Sequence, residues 1–201
     1  MPSKQTLLSW LTHTLTASSA VLGLWAMYFA VAHQLSYSFL LLMATITIDS
    51  IDGPIARKLN VKKYTSDFDG ALLDNIVDFF TWCIVPCFIL IVAPIFTMPI
   101  TIALTTGITF ASCYQFCCLD AKCGGQYFKR FPSYWSPAII VAYLLLCPTL
   151  LKAILLFICI LCSFVPLYVP KPFTHPLMHP NPTCNKILNY MNNTANVVIG
   201  L

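Results

Sequence analysis

Residues 49–78 read "DSIDGPIARKLNVKKYTSDFDGALLDNIVD". Six of the chain's seven acidic residues fall inside this stretch, and all seven are Asp: 49, 52, 67, 69, 74, 78 and 120. The rest of the chain is oily. Of its 201 residues 58% are hydrophobic and only 9% charged, with a mean hydropathy of +0.78. Soluble domains carry about 25% charged residues. The composition therefore points to an all-α, polytopic integral membrane protein, and the aspartates sit at the edges of its apolar runs.

A spanning helix needs roughly 20 mostly apolar residues. Six candidate runs are present: Leu15–Ala32, Leu35–Ile51, Leu72–Val92, Met98–Phe116, Pro132–Leu146 and Leu150–Val165. The last two are short and separated by Pro148. The first run has no small-residue cleavage site after it and is expected to be a retained helix. Residues 1–167 are thus expected to form one six-helix membrane domain. Residues 168–201 are dense in proline, which excludes a regular helix. An interfacial loop is expected there, and the ending "NTANVVIGL" reads as the start of a further helix.

Charge placement orients these helices. With the N-terminus in the cytoplasm, Lys4, Arg57, Lys58, Lys62, Lys63, Lys122, Lys129, Arg130, Lys171 and Lys186 fall on the cytoplasmic side, and only Lys152 falls opposite. That distribution follows the positive-inside rule. The small net charge of +4 gives no indication of nucleic acid, and none is expected as a partner. The ten cysteines lie mostly in apolar runs, where they behave as small hydrophobes. "CILC" at Cys159–Cys162 is read that way. Cys117, Cys118 and Cys123 lack a second ligand pair that would suggest zinc.

Asp49 and Asp52 are spaced i, i+3; Asp74 and Asp78 are spaced i, i+4. Each pair lies on one face of its helix. The two helices are neighbours across a cytoplasmic loop, so the four carboxylates can converge at one depth. Ionisable groups near membrane depth are costly and usually face a cavity or an ion. Four carboxylates in a small space need cations, and hard oxygen donors suit magnesium, manganese or calcium. Such an ion can bridge a diphosphate. Gly53, Ala56 and Gly70 leave room for a ligand or a helix backbone, and Arg57 can hold a phosphate through two parallel hydrogen bonds. Helix capping is the competing explanation for either pair taken alone. Asp67 and Asp69 read as a solvated turn, and Asp120 with Lys122 as a loop pair.

The stretch resembles the signature of the CDP-alcohol phosphatidyltransferases, D-x-x-D-G-x-x-A-R, a spacer, then G-x-x-x-D-x-x-x-D. All eight fixed residues are present, in "DSIDGPIAR" at residues 49–57 and "GALLDNIVD" at residues 70–78. The spacer, residues 58–69, is longer than is usual in the family and is similar to that of the bacterial phosphatidylcholine synthases. "FDGALLDNIVDFFTWCIVP", "FPSYWSPAIIVAYLL" and "SFVPLYVP" are also similar to stretches of that subfamily. The resemblance covers about residues 8–170.

The resemblance implies a six-helix membrane core with a cytoplasm-facing site, in a bacterial inner (cytoplasmic) membrane. It implies transfer of a phosphatidyl group from CDP-diacylglycerol to choline with release of CMP, using Mn2+ or Mg2+. Asp49, Asp52 and Asp74 would be metal ligands. Asp78 would complete the metal site and act as general base on the alcohol. Gly53, Ala56 and Gly70 would make room for the cytidine and diphosphate. Choline's quaternary ammonium calls for aromatic faces, and Tyr134 and Trp135 stand at the cytoplasmic start of the fifth run; an interfacial aromatic belt is the commoner use of such residues. The expected partners are the lipid bilayer, CDP-diacylglycerol, choline and, in a homodimer, a second copy of the chain. Serine, glycerol phosphate or inositol phosphate are alternative acceptors. A carboxylate-lined cation transporter is the rival from another class, but it would spread its Asp residues across the membrane depth.

Overall fold

A backbone that crosses hydrocarbon must satisfy its own N–H and C=O groups, which favours helices. The computed structural model describes residues 3–118, 122–123, 127–129, 131–165 and 168–170. Its helices are α1 (Lys4–Val31), α2 (Leu35–Lys58), α3 (Val61–Tyr64), α4 (Gly70–Phe79), α5 (Val85–Val92), α6 (Met98–Cys117), α7 (Trp135–Leu144) and α8 (Thr149–Cys162). A π-helical turn, Phe80–Ile84, joins α4 to α5. Among the described residues, four helical rods are long and apolar enough to cross a membrane: Lys4–Val31, Leu35–Lys58, Gly70–Val92 and Met98–Cys117. The expected fifth and sixth runs are helical but span only 10 and 14 residues. Three short strands outside the apolar part, β1 (Lys122–Cys123), β2 (Tyr127–Lys129) and β3 (Tyr168–Pro170), form an antiparallel sheet that an all-α expectation omits. The rest of the proline-rich segment, and Asp120, lie outside the described residues.

Two helices depart from their expected limits. α1 begins at Lys4 rather than Leu15. Its extra turns are capped by Ser3, whose Oγ accepts from the Thr6 amide at 3.1 Å, and they bury Ser9, Thr12 and His13 instead of an apolar run. α2 continues past Ile51 to Lys58, through Pro54. Asn60, at φ 50°, then takes the left-handed conformation that commonly stops a helix. The first aspartate motif is therefore helical throughout.

Small residues bring the helices together. α1 buries Ser9, Thr12, Thr16, Ser19, Gly23, Ala26 and Ala30 along one stripe, the kind of surface that lets helix backbones approach closely in lipid. A Cβ on Gly23 would meet Phe80 Cε1 at 3.0 Å and Val85 Cγ2 at 3.1 Å, so α1 presses on the π-helical turn. The Gly70–Val92 rod lies centrally. Val85 and Ile89 join Ala26, Ala30 and Leu42 in one apolar cluster, whereas Cys83, Cys87 and Leu90 join Leu104, Ile108, Trp135 and Ile139 in a second. Leu24, Leu40, Ile102 and Phe110 remain more than half exposed, as lipid-facing side chains would be. Cys83, Cys87, Cys113, Cys117, Cys118, Cys147, Cys159 and Cys162 are free thiols.

The π-helical turn has a local cause. The Val85 amide donates to the Phe80 carbonyl, one residue further back than in an α-helix. In that register the next donor along would serve the Thr81 carbonyl, but the next residue is Pro86, which has no N–H. Ser136 on α7 supplies the missing donor: its Oγ gives a hydrogen bond to the Thr81 carbonyl at 2.7 Å, in a buried position. Replacing Ser136 with Ala should leave that carbonyl unsatisfied and cost about 1–3 kcal/mol. The expected outcome is a clear drop in the unfolding temperature of Ser136→Ala in detergent. A variant as heat-stable as the parent would show that the carbonyl finds another donor.

Candidate active site

The site is built where α2 ends and α4 begins. Asp49, Asp52, Gly53, Ala56 and Arg57 ride on the last turns of α2. Gly70, Asp74 and Asp78 ride on α4. α4 starts where it does because Asp69 caps it: the Asp69 carboxylate accepts from the Ala71 and Leu72 amides, both at 3.0 Å. Asp69 is thus a capping residue rather than part of a merely solvated turn. Asp67 is exposed and accepts only a local bond from Ser66 Oγ, at 3.2 Å.

Three of the four signature carboxylates meet. Asp49, Asp74 and Asp78 each offer an oxygen, and these oxygens lie within 4.8 Å of one another with all three residues half-buried. Opposite oxygens around Mg2+ stand about 4.2 Å apart, and around Ca2+ about 5 Å. The observed spacing and the all-carboxylate donor set therefore fit a hard divalent cation. Asp52 is held elsewhere. It is 4% exposed, and its Oδ2 accepts from Thr16 Oγ1 on α1 at 2.7 Å. Helix geometry explains the split: three residues at 100° each leave Asp52 about 60° short of a full turn from Asp49, which points it toward α1.

The small residues of the signature have visible neighbours. A Cβ on Gly70 would stand 2.6 Å from His13 Cε1, so Gly70 makes way for the His13 ring. That imidazole shares a 3.0 Å hydrogen bond with Thr65 Oγ1 and packs against Phe68, ring centroids 4.6 Å apart. The spacer between the two aspartate motifs is thereby pinned to α1. A Cβ on Gly53 would stand 3.3 Å from Arg57 Nη1, so Gly53 lets the Arg57 guanidinium lie back along the helix. Arg57 is exposed and Ala56 half-buried. The Gly53 amide and the Arg57 guanidinium both act on the Asp52 carboxylate.

The two aromatic candidates part company. Tyr134 is half-buried and precedes α7. Trp135 has no exposed surface. It packs in the apolar cluster with Cys83 and Ile108, and its Nε1–H donates to Ser112 Oγ at 2.8 Å. A headgroup contact does not fit that position; Trp135 is a packing residue. Trp82 is the ring that does meet Tyr134, with centroids 5.3 Å apart.

Sequence reading misses Thr16, His13 and Trp82. Thr16 and His13 belong to a stripe of small and polar residues on α1 whose helical spacing is the available signal. Trp82 stands four residues after Asp78, which is the same face of a helix.

The sequence matches the CDP-alcohol phosphatidyltransferase family over residues 9–165. A phosphatidylcholine synthase of Legionella pneumophila subsp. pneumophila is 32% identical over 195 residues, 96% of this chain and 74% of that protein. One from Legionella bozemanae is 36% identical over 154 residues, 76% of this chain and 71% of its own. One from Borreliella burgdorferi is 35% identical over 161 residues, 80% and 69% respectively.

Gly70 offers a direct check of the packing. Gly70→Ala should push the His13 ring away and cost about 1–3 kcal/mol, as overpacking does. Adding His13→Ala should remove most of that penalty. If the two losses simply add in a double-mutant cycle, Gly70 does not serve His13.

Proposed function

The chain belongs to the CDP-alcohol phosphatidyltransferase family, and from that premise we propose that it transfers the phosphatidyl group of CDP-diacylglycerol to choline, releasing CMP. The observation that carries the reading is the meeting of Asp49, Asp74 and Asp78 from two helices, in a chain whose relatives are named phosphatidylcholine synthases.

The choline hydroxyl is a weak nucleophile and must lose its proton as its oxygen bonds to the phosphorus. Asp78 takes that proton on a carboxylate oxygen. The bond from phosphorus to the CMP oxygen breaks, and CMP leaves with the electron pair. Asp49, Asp74 and Asp78 would hold Mn2+ or Mg2+, which supplies charge neutralisation at the diphosphate, while Asp52, expected as a fourth ligand, is turned to Thr16 instead. Arg57 lies at the same helix end and can hold a phosphate oxygen. Gly53, Ala56 and Gly70 keep that helix end lean enough for the cytidine and diphosphate to approach. Tyr134 borders the acceptor.

The proposed setting is the inner membrane of a bacterium, with six helices and a cytoplasmic site, as a homodimer. Connectivity supports the orientation. The end of α2 that carries Asp49 and Asp52 also carries Arg57 and Lys58, and α3, on the way to α4, carries Lys62 and Lys63, with Lys4 at the start of α1, as the positive-inside rule asks. Lys152 starts α8 at the opposite end. The donor's acyl chains would then stay in lipid while its headgroup reaches the carboxylates.

The test uses purified protein with CDP-diacylglycerol, Mn2+ and labelled choline, serine, glycerol phosphate or inositol phosphate. Phosphatidylcholine is the expected product. Asp78→Asn should lower kcat by roughly 100-fold or more, and Asp67→Asn should leave it close to the parent value. Transfer to another alcohol but not to choline would replace the acceptor. Transfer without any divalent ion would falsify the mechanism.

A further inference from the structure

A quaternary ammonium cannot donate a hydrogen bond. It is recognised by aromatic faces and by negative charge. The acceptor proposed above also has only two carbons between its hydroxyl and its nitrogen. Its ammonium must therefore rest within a side chain's reach of the base that takes the hydroxyl proton.

Few described aromatic rings meet that requirement. Trp135 is sealed in the core. The cluster of Trp10, His13 and Phe68 packs beside Gly70, on the face of α4 that meets α1. Phe79 turns to Phe116. Trp82 and Tyr134 are half-buried and in mutual contact at 5.3 Å with an angle of 46° between their planes. Rings set at such an angle form two walls of a wedge rather than a closed stack.

The backbone places this wedge over the reacting groups. Trp82 follows Asp78 by four residues, so their Cβ atoms are about 5–6 Å apart. In a regular α-helix four residues overshoot a full turn by about 40°. The π-helical turn begins at Phe80, between them; its wider turns rotate less per residue and bring Trp82 closer into line above Asp78. From the start of α7, Tyr134 brings its ring against Trp82. The Ser136 bond to the Thr81 carbonyl, 2.7 Å, ties the start of α7 to the residue next to Trp82. Two rings thus border one place, a turn from Asp78.

We propose that Trp82, paired with Tyr134, forms the seat of the acceptor's quaternary ammonium and so sets the preference for choline over uncharged alcohols. This rests on the phosphatidyl-transfer reading above. Trp82 acts on acceptor binding, and the chemistry at Asp78 is left to the carboxylates.

The experiment compares choline with 3,3-dimethylbutan-1-ol, its uncharged isostere, as acceptors for the purified protein with CDP-diacylglycerol and Mn2+. The parent should favour choline in kcat/KM. Trp82→Leu should cut that preference by roughly fivefold or more, through KM for choline, with KM for CDP-diacylglycerol unchanged. Trp82→Phe should restore part of it. Where Trp82→Leu fails to fold, fluorinated tryptophans placed at position 82 weaken the ring's attraction for cations while keeping its shape. KM for choline should then rise stepwise with each added fluorine. A choline-to-isostere ratio that stays at the parent value through both series overturns the assignment while leaving phosphatidyl transfer intact. A parent protein that makes no phosphatidylcholine overturns the function itself, and the seat with it.

Discussion

Repulsion among Asp49, Asp74 and Asp78 is the constraint around which the structure is arranged. Two ionised carboxylates at the spacings seen here oppose each other by roughly 3–4 kcal/mol at an effective dielectric near 20. Three such pairs approach the whole stability of a typical domain, about 5–15 kcal/mol. An arrangement of that kind persists only where the rest of the fold holds it and a cation offsets it. The holding is done by helices rather than loops. α2 runs rigidly through its motif to Lys58, and α4 is started by the Asp69 cap. The fourth carboxylate is drawn aside onto Thr16, which keeps a further charge out of the cluster while leaving it one turn away.

The burden then passes to α1. Its buried stripe of Ser, Thr, Gly and Ala brings it close enough for Thr16 to reach Asp52 and for His13 to reach Thr65 in the spacer. A bulkier stripe would move α1 outward and break both bonds. Gly70 matters for the same reason, because it concedes to His13 the space its own side chain would fill. In this family signature a residue that reads as room for substrate also serves as room for a neighbouring helix. The two uses are compatible, since a lean helix start opens on more than one side.

Much of this can be read from the sequence, and the failures have physical causes. The apolar runs, the aspartate spacing and the Lys and Arg bias need only periodicity and charge. The position of Asp52 does not follow, because an i, i+3 pair diverges by about 60° and only the neighbouring helix decides which carboxylate turns away. That neighbour is hidden for a related reason: the first turns of α1 are mixed in polarity, so a hydropathy window begins at Leu15 although the helix begins at Lys4. Trp135 leaves its expected place because adjacency in sequence to Tyr134 says little about direction. Trp135 turns inward to Ser112, whereas Trp82 comes from a different helix.

The π-helical turn links these local facts. Pro86 deprives the rod of a donor, and the wide turn before it leaves the Thr81 carbonyl without an α-helical partner. Soluble helices can leave such a group to water; one inside an apolar bundle cannot. A donor from another helix is required, and Ser136 provides it. That bond fixes the height of α7 against the rod, and with it the position of Tyr134 two residues earlier. The backbone defect thus adds a directional bond between two elements that also pack through Cys83, Trp135 and Ile139. A regular α-helix through Phe80–Ile84 would return the Thr81 carbonyl to the Val85 amide but leave the Trp82 carbonyl facing Pro86, which has no N–H, and it would turn Trp82 further from the line of Asp78. The irregular turn supplies registration that apolar side chains, which pack tolerably in several rotations, cannot supply by themselves.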